Sequence, residues 1–348
     1  VMVDLPENYH RESRVFEKGS WMVPGEEVEV GVPAIWNPFD EYEGNRMGLA
    51  KWLFDKENSL TARVMVNRIW EQFFGRGIVS SLEDFGSQGF APTHPELLDW
   101  LAIKFRDDFD WDIKKLIKEI VLSGTYRQSS HFTEESREKD PLNEWLARGP
   151  RLRLNAEQVR DQSLAVSGLL SKKMLGKSVM PEQPEGIWQV VYSGTKWETS
   201  KGDDKYRRAL YTFWRRTSPY PSIISFDAPS REFCLPKRIA TNTPLQALVT
   251  LNDPVYLDAA VALGRRVLNN EAADVDKQLS LLYSFAMLRG ITEEKLVDLK
   301  DVYHQTETYF ENSPEEICKL TGEEDKALAV FTVMANVVMN LDEFLMKS

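Results

Sequence analysis

The sequence predicts a mainly α-helical protein: a multi-helix domain with a short β element around 207–217 and an extended N-terminal arm. Three observations carry this reading. Apolar residues recur at helical spacing through most of the chain after residue 45. Small polar residues stand just before those periodic runs, and Gly or Pro often stands beside their ends, as helix boundaries require. Strand-like alternation after residue 45 is confined to RRALYTFWRRT, where Leu210, Thr212 and Trp214 alternate with Tyr211 and Phe213.

In order along the chain, residues 1–44 read as an extended or β-rich junction to a preceding portion. Val15–Phe16, Trp21–Val23 and 27–32 form short apolar runs between Gly and Pro turns. The chain opens on Val1 rather than Met, so it is expected to be a processed product, an engineered segment or the ordered part of something longer. Residues 45–348 form the helical domain. A first helix covers 45–56. The next, Leu60–Phe74, has Ser59 as its expected N-cap, Gly75 as its C-terminal stop, and an apolar stripe of Ala62, Met65, Val66, Ile69 and Phe73. A polar loop follows, then a helix from Pro95 with Thr93 as its cap, and Ile113–Leu122 capped by Asp112. The charged stretch 129–150 reads as a surface crossing with a helical turn near 143–147. Asn155 caps a helix over 156–170. The segment 171–205 is long and irregular, a length usually kept for function or mobility. Helices resume at 245–251, 254–268, 274–289, 292–310 and 324–340.

Bulk properties narrow the function classes. A formal net charge of −11 argues against non-specific binding to nucleic acid or anionic membrane. No apolar run reaches the roughly 20 residues that a membrane span needs. The two cysteines, Cys234 and Cys318, form no C-x-x-C pair. A single disulfide and two buried free thiols both fit them. The four histidines include no i,i+3 or i,i+4 pair, so no helical metal pair is expected. No phosphate-cradling glycine loop and no G-x-S-x-G elbow occur.

Two polar patches remain. The first, 58–100, places Arg63, Asn67 and Arg68 on an apolar helix, followed by a loop containing Glu83, Asp84 and His94. The second, 225–254, combines Asp227, Arg231, Lys237 and Arg238 with Thr241, Asn242 and Thr243 near a helix start. Asp84 and Asp227 are the best-placed carboxylates for acid–base work, and His94 the best-placed histidine. The plain alternative is structural: Asp84 and Asp227 pair with nearby arginines, and His94 caps the helix that begins at Pro95. A polysaccharide-active enzyme would need Asp84, His94 and Asp227 in one cleft, with an exposed Trp188 or Trp197 as a sugar platform.

LTARVMVNRIWEQFFGRGIVSSLEDFGSQGFAPTHPELLDWLA, LIKEIVLSGTYRQSS, RLRLNAEQVRDQSLAVSGLL and FDAPSREFCLPKRIATNTPLQALVTLNDP together resemble the PSD-one domain family, a bacterial domain of unknown function. The resemblance runs from about Asn45 to Phe344, ending in NLDEFL. It implies the C-terminal part of a large exported protein, periplasmic or extracellular, preceded by a c-type haem module and a second helical domain. In some members carbohydrate-binding or concanavalin-like modules appear instead, which leaves carbohydrate open as a ligand. This chain has no C-x-x-C-H, so a haem would belong to an N-terminal portion or a partner chain, and the chain itself is expected to hold no cofactor. The expected partner is that haem-bearing or second helical module, which this chain would dock or scaffold, with a share in a substrate pocket; the alternatives are the polysaccharide-active enzyme and a purely structural module with no ligand. The family supplies no catalytic residue to transfer. Its motif positions Arg68, Asp84, His94, Arg127, Asp227, Arg231, Thr243 and Asn252 mark where a site would lie.

Overall fold

The computed structural model describes residues 5–9, 12–184, 186, 196–270 and 274–347. The chain divides into two compact units, Val1–Arg127 and Gln128–Ser348.

In the first unit, β1 (Ser13–Phe16) and β2 (Pro24–Val28) pair antiparallel, with a register shift between Arg14 and Phe16. Every residue of β1 is exposed, so this hairpin has no apolar face to bury. The helices are α1 (Arg46–Leu53), α2 (Leu60–Phe74), α3 (Pro95–Ile103) and α4 (Ile113–Leu122). Asn45 Oδ1 caps α1 by accepting from the Gly48 amide at 2.8 Å. The cap of α2 is Asn58 rather than Ser59: its Oδ1 accepts from Leu60 N (3.1 Å) and Thr61 N (3.2 Å), while Ser59 is already helical. Gly75 ends α2 with φ 75°, the left-handed geometry expected of a C-terminal stop. The buried face of α2 is Ala62, Val66, Asn67, Trp70, Glu71 and Phe74, while Met65 is exposed. Trp70 and Phe74 stack at 4.1 Å within that face, which also contains the polar positions 67 and 71.

A single π turn, Lys104–Asp108, extends α3. Asp110 (φ 50°) and Trp111 (φ 59°) then both adopt left-handed backbone. For a bulky residue such as Trp this costs about 1 kcal/mol or more. It is offset by packing: Trp111 meets Phe54 edge-on at 4.6 Å and Phe105 at 5.3 Å. Asp112 then caps α4 as expected, accepting from Lys114 N and Lys115 N.

The second unit is built on a closely packed helix pair. The polar crossing at 129–150 holds α5 (Glu134–Lys139), which sequence reasoning missed. It forms through a capping box between Thr133 and Ser136. Residues 143–147 are an irregular turn, with Asn143 and Leu146 at positive φ. The Asp140 carboxylate holds that turn through Glu144 N (2.7 Å) and Trp145 N (2.9 Å). Next come β3 (Leu152–Arg153), α6 (Ala156–Ser167, capped by Asn155 with Gln158), α7 (Pro221–Ser225), α8 (Pro244–Asn252) and α9 (Pro254–Leu268). The remainder is α10 (Val275–Met287), α11 (Glu293–Asn312), α12 (Glu315–Thr321), α13 (Lys326–Met339), α14 (Asp342–Leu345) and β4 (Met346–Lys347), which pairs antiparallel with β3.

Helices α9 and α13 are the centre of this unit. Ala259, Ala260, Leu263 and Val267 on α9 are fully buried, as are Ala329, Met334, Ala335 and Val338 on α13. Gly264 lets the two backbones approach: a Cβ there would lie 3.0 Å from the Phe331 carbonyl carbon. Polar ties fix α8 against α13, with Thr250 Oγ1 2.6 Å from Asn340 Oδ1 and Asn336 Nδ2 3.1 Å from the Thr250 carbonyl. The C-terminal turn docks through Glu343, which accepts from Tyr283 Oη, Arg289 and Lys295. Burial opposes its charge, but these donors prevail and hold the carboxyl down at about 2.

The protein is therefore mainly α, with a minor β component. The strand expected over 207–217 reduces to two isolated parallel bridges, Ser171↔Arg207 and Val179↔Thr212, around a 3-10 turn at Ala209–Tyr211. The alternation there does not reflect a sheet. Arg207 is buried and hydrogen-bonded to carbonyls, which bends the segment instead of extending it. Among the described residues, no helix is long and apolar enough to cross a membrane.

Candidate functional site

The polar residues of 58–100 form a closed hydrogen-bonded frame in the first unit. Asn67 is fully buried and bonds both backbone groups of one residue: Nδ2 donates to the Val79 carbonyl at 2.8 Å, and Val79 N donates to Oδ1 at 2.9 Å. The amide thus replaces a missing strand partner for the loop. Gly77 is required beside it, because a Cβ there would meet the Val79 carbonyl at 2.4 Å. Arg63 pairs with Asp99 at 2.6 Å and donates to the Ser59 carbonyl at 2.7 Å.

Asp84 has no arginine partner among the described residues. Its Oδ1 accepts from Gly86 N at 2.6 Å, and its carbonyl accepts from Ser81 Oγ at 2.6 Å. Ser81 Oγ in turn accepts from Phe90 N at 2.9 Å, closing the loop on itself. His94 occupies the residue before α3 but does not cap it. Its Nδ1 lies 3.0 Å from Thr93 Oγ1, while the Thr93 amide and hydroxyl both donate to the Ile78 carbonyl. Arg68 is different: it is exposed, makes no hydrogen bond or ion pair among the described residues, and lines a cavity of about 570 Å³ in the first unit. Arg127 is likewise exposed, without a side-chain partner among the described residues.

In the second unit, Asp227 takes a left-handed backbone (φ 60°). Its carboxylate accepts from Thr241 N (2.7 Å), from Thr241 Oγ1 and from Gln246 Nε2 (3.2 Å). Gln246 Oε1 then accepts from Arg153 Nη2 at 2.7 Å. These bonds run Asp227–Thr241–Gln246–Arg153 and fasten the loop to α8 and β3. The arginine is reached through an amide, not directly as expected. Arg231 is exposed and lies over the Trp214 ring at 4.6 Å. Thr243 precedes α8 without a side-chain capping bond, and Asn252 Nδ2 donates to the Leu248 carbonyl. Asp84 and His94 thus belong to the first unit and Asp227 to the second, each engaged by its own neighbours.

Sequence reasoning missed a buried carboxylate whose proton affinity is raised. Asp253, read only as a helix restart, is buried, and its Oδ1 accepts from Val255 N. Burial pushes its carboxyl up to about 6, against the Val255 amide and the Arg160 guanidinium, which pull it down. Arg160 is 1% exposed, donates to the carbonyls of Arg207 (2.7 Å) and Lys205 (2.9 Å), and leaves its Nε unpartnered. Tyr220 lies in the same buried region, donating to the Glu182 carbonyl at 2.5 Å. The available sequence signal was a charged residue inside the apolar stripe of α6, between Val159 and Leu164.

Trp197 is half-buried, stacked on Tyr220 at 5.7 Å, with Nε1 donating to the Pro181 carbonyl, so it is not an open platform. Trp188 lies outside the described residues. Cys234 and Cys318 are both free and exposed, in place of the disulfide or the buried thiols expected. Among the described residues, no group of three or more His, Cys, Asp or Glu is arranged to hold a metal ion. Neither a curated protein nor a solved structure matches the chain. A family model does match it over residues 45–303: this chain belongs to the PSD1 family, described as Protein of unknown function (DUF1553).

Proposed function

We propose that this chain is the extracytoplasmic helical module of a multidomain protein linked to a c-type cytochrome, and that it docks or scaffolds the haem-bearing module. One observation carries the reading: Asp84, His94 and Asp227 are committed to local bonds, while the family-motif loop that follows Asp227 in the second unit presents apolar side chains to solvent. Every residue of 231–240 is exposed, including Phe233 (66%) and Ile239 (80%), and α8 adds Leu245 and Leu248. Exposed apolar residues grouped in this way mark a contact surface. The net charge of −11 suits a basic partner such as a cytochrome. On this reading the haem is held by the N-terminal portion or a partner chain, and the protein is periplasmic or extracellular.

The test is purification of the native protein under gentle conditions, followed by absorption spectroscopy. Association with a haem-containing chain or domain is expected, and Phe233→Asp is expected to weaken it by tenfold or more. Consistent recovery without haem would remove the proposal. The alternative of a polysaccharide-active enzyme has less support, because Asp84, His94 and Asp227 are each held by neighbours in roles that need no substrate.

A further inference from the structure

The first unit contains a cavity of about 570 Å³, within the size range of small-molecule sites. Its walls include Trp36, Trp52, Phe54, Phe105 and Trp111. Phe54 is 55% exposed at the mouth, while Trp52 and Phe105 are buried at 7% and 1%. Three features separate this space from a packing defect. The wall is shaped by unusual backbone, since the π turn at Lys104–Asp108 and the left-handed pair Asp110–Trp111 bring Trp111 against Phe54 and Phe105. Such departures concentrate at binding sites. The polar groups of the lining are largely occupied: Asn58 Oδ1 accepts from Leu60 N and Thr61 N, and the Thr61 hydroxyl donates to the same oxygen. The one charged residue of the lining is Arg68, without a partner among the described residues, and no carboxylate lines the space to neutralise it.

We infer that this cavity binds a small aromatic carboxylate, with its ring among Trp52, Phe54 and Trp111 and its carboxylate on the Arg68 guanidinium. The aromatic walls favour a flat apolar body, and a planar fork of donors favours a carboxylate. This site is independent of the docking reading above, and its test involves no haem-bearing partner.

The experiment is calorimetric titration of the full chain with 2-naphthoate, and with 2-naphthylmethanol as the neutral counterpart. One 2-naphthoate per chain is expected, bound about threefold to tenfold more tightly than the alcohol. Arg68→Met is expected to abolish that preference and leave alcohol binding unchanged. Ile113→Trp, which fills the mouth, is expected to abolish both. Equal affinity of the two probes for the unaltered chain, no binding of either at millimolar concentration, or an undiminished preference in Arg68→Met would each overturn the inference. Arg68 is exposed, so its variant is expected to fold even if Ile113→Trp does not.

Discussion

The two units solve the same problem, a buried polar residue that organises an irregular segment, in different ways. In the first, neutral Asn67 satisfies both the N–H and the C=O of Val79. Donors and acceptors balance, and the amide itself carries no charge that could respond to pH. In the second, charged Arg160 holds the carbonyls of Lys205 and Arg207, and buried Arg207 in turn holds those of Leu175 and Lys177. Two guanidiniums thus staple a long loop, but the Nε of each is left unpartnered. Near the first of them lies Asp253, whose charge is opposed by burial. A neutral amide gives a brace with little electrostatic consequence, whereas buried charged groups act on one another through a region that solvates them poorly.

The largest expected effect follows from that contrast. Arg160→Met removes the donor from one buried and one part-buried carbonyl and the cation near Asp253, and is expected to cost about 3–5 kcal/mol in urea denaturation. Earlier proteolysis within the loop should accompany it. An unchanged midpoint would mean that the staple is dispensable. Asn67→Ala strands both backbone polar groups of one buried residue, Val79, and should cost about 2–3 kcal/mol, with no dependence on pH between 5 and 8. A pH-dependent loss there would break the distinction between the two units.

Asp253→Asn tests the charged side of the comparison. The folded carboxyl titrates at about 6, above its ordinary value, so between about 4 and 6 the folded state keeps a proton that the unfolded chain has released. Stability from this group therefore falls as pH rises through that window, by on the order of 2 kcal/mol. The difference in unfolding free energy between Asp253→Asn and the parent should change by that amount from pH 4 to pH 7. A constant difference would show that Asp253 does not titrate abnormally. The smallest effect is expected for Asp84→Asn, which keeps an acceptor for Gly86 N and should change stability by less than about 0.5 kcal/mol. A large loss would show that the loop needs the charge.

Legibility in the sequence followed the range of the interactions. Helix stops and several caps were visible because they act within three or four residues, as at Asp112, Asn155 and Gly75. The cap of α2 was misplaced by one residue, since Asn58 and Ser59 are both competent and only backbone geometry chooses between them. The structural alternative for Asp84 and Asp227 anticipated their being held in place, but not by whom, because Gly86, Thr241 and Gln246 carry no charge signal. Asp253 escaped notice because an Asp-Pro at a helix start is ordinary, and its depth is not written locally.

The sequence by itself determined the helical class, most helix positions and, through its motifs, the family. These depend on local periodicity and on residue order. Tertiary structure alone decided which polar residues are buried, how the loops close and where aromatic side chains leave a cavity. Burial and enclosure arise from segments far apart in the chain: Arg160 meets carbonyls more than forty positions away, and Trp36, Phe54 and Trp111 come to line one space. No local pattern encodes such meetings, because desolvation depends on everything packed around a group and not on its neighbours in sequence.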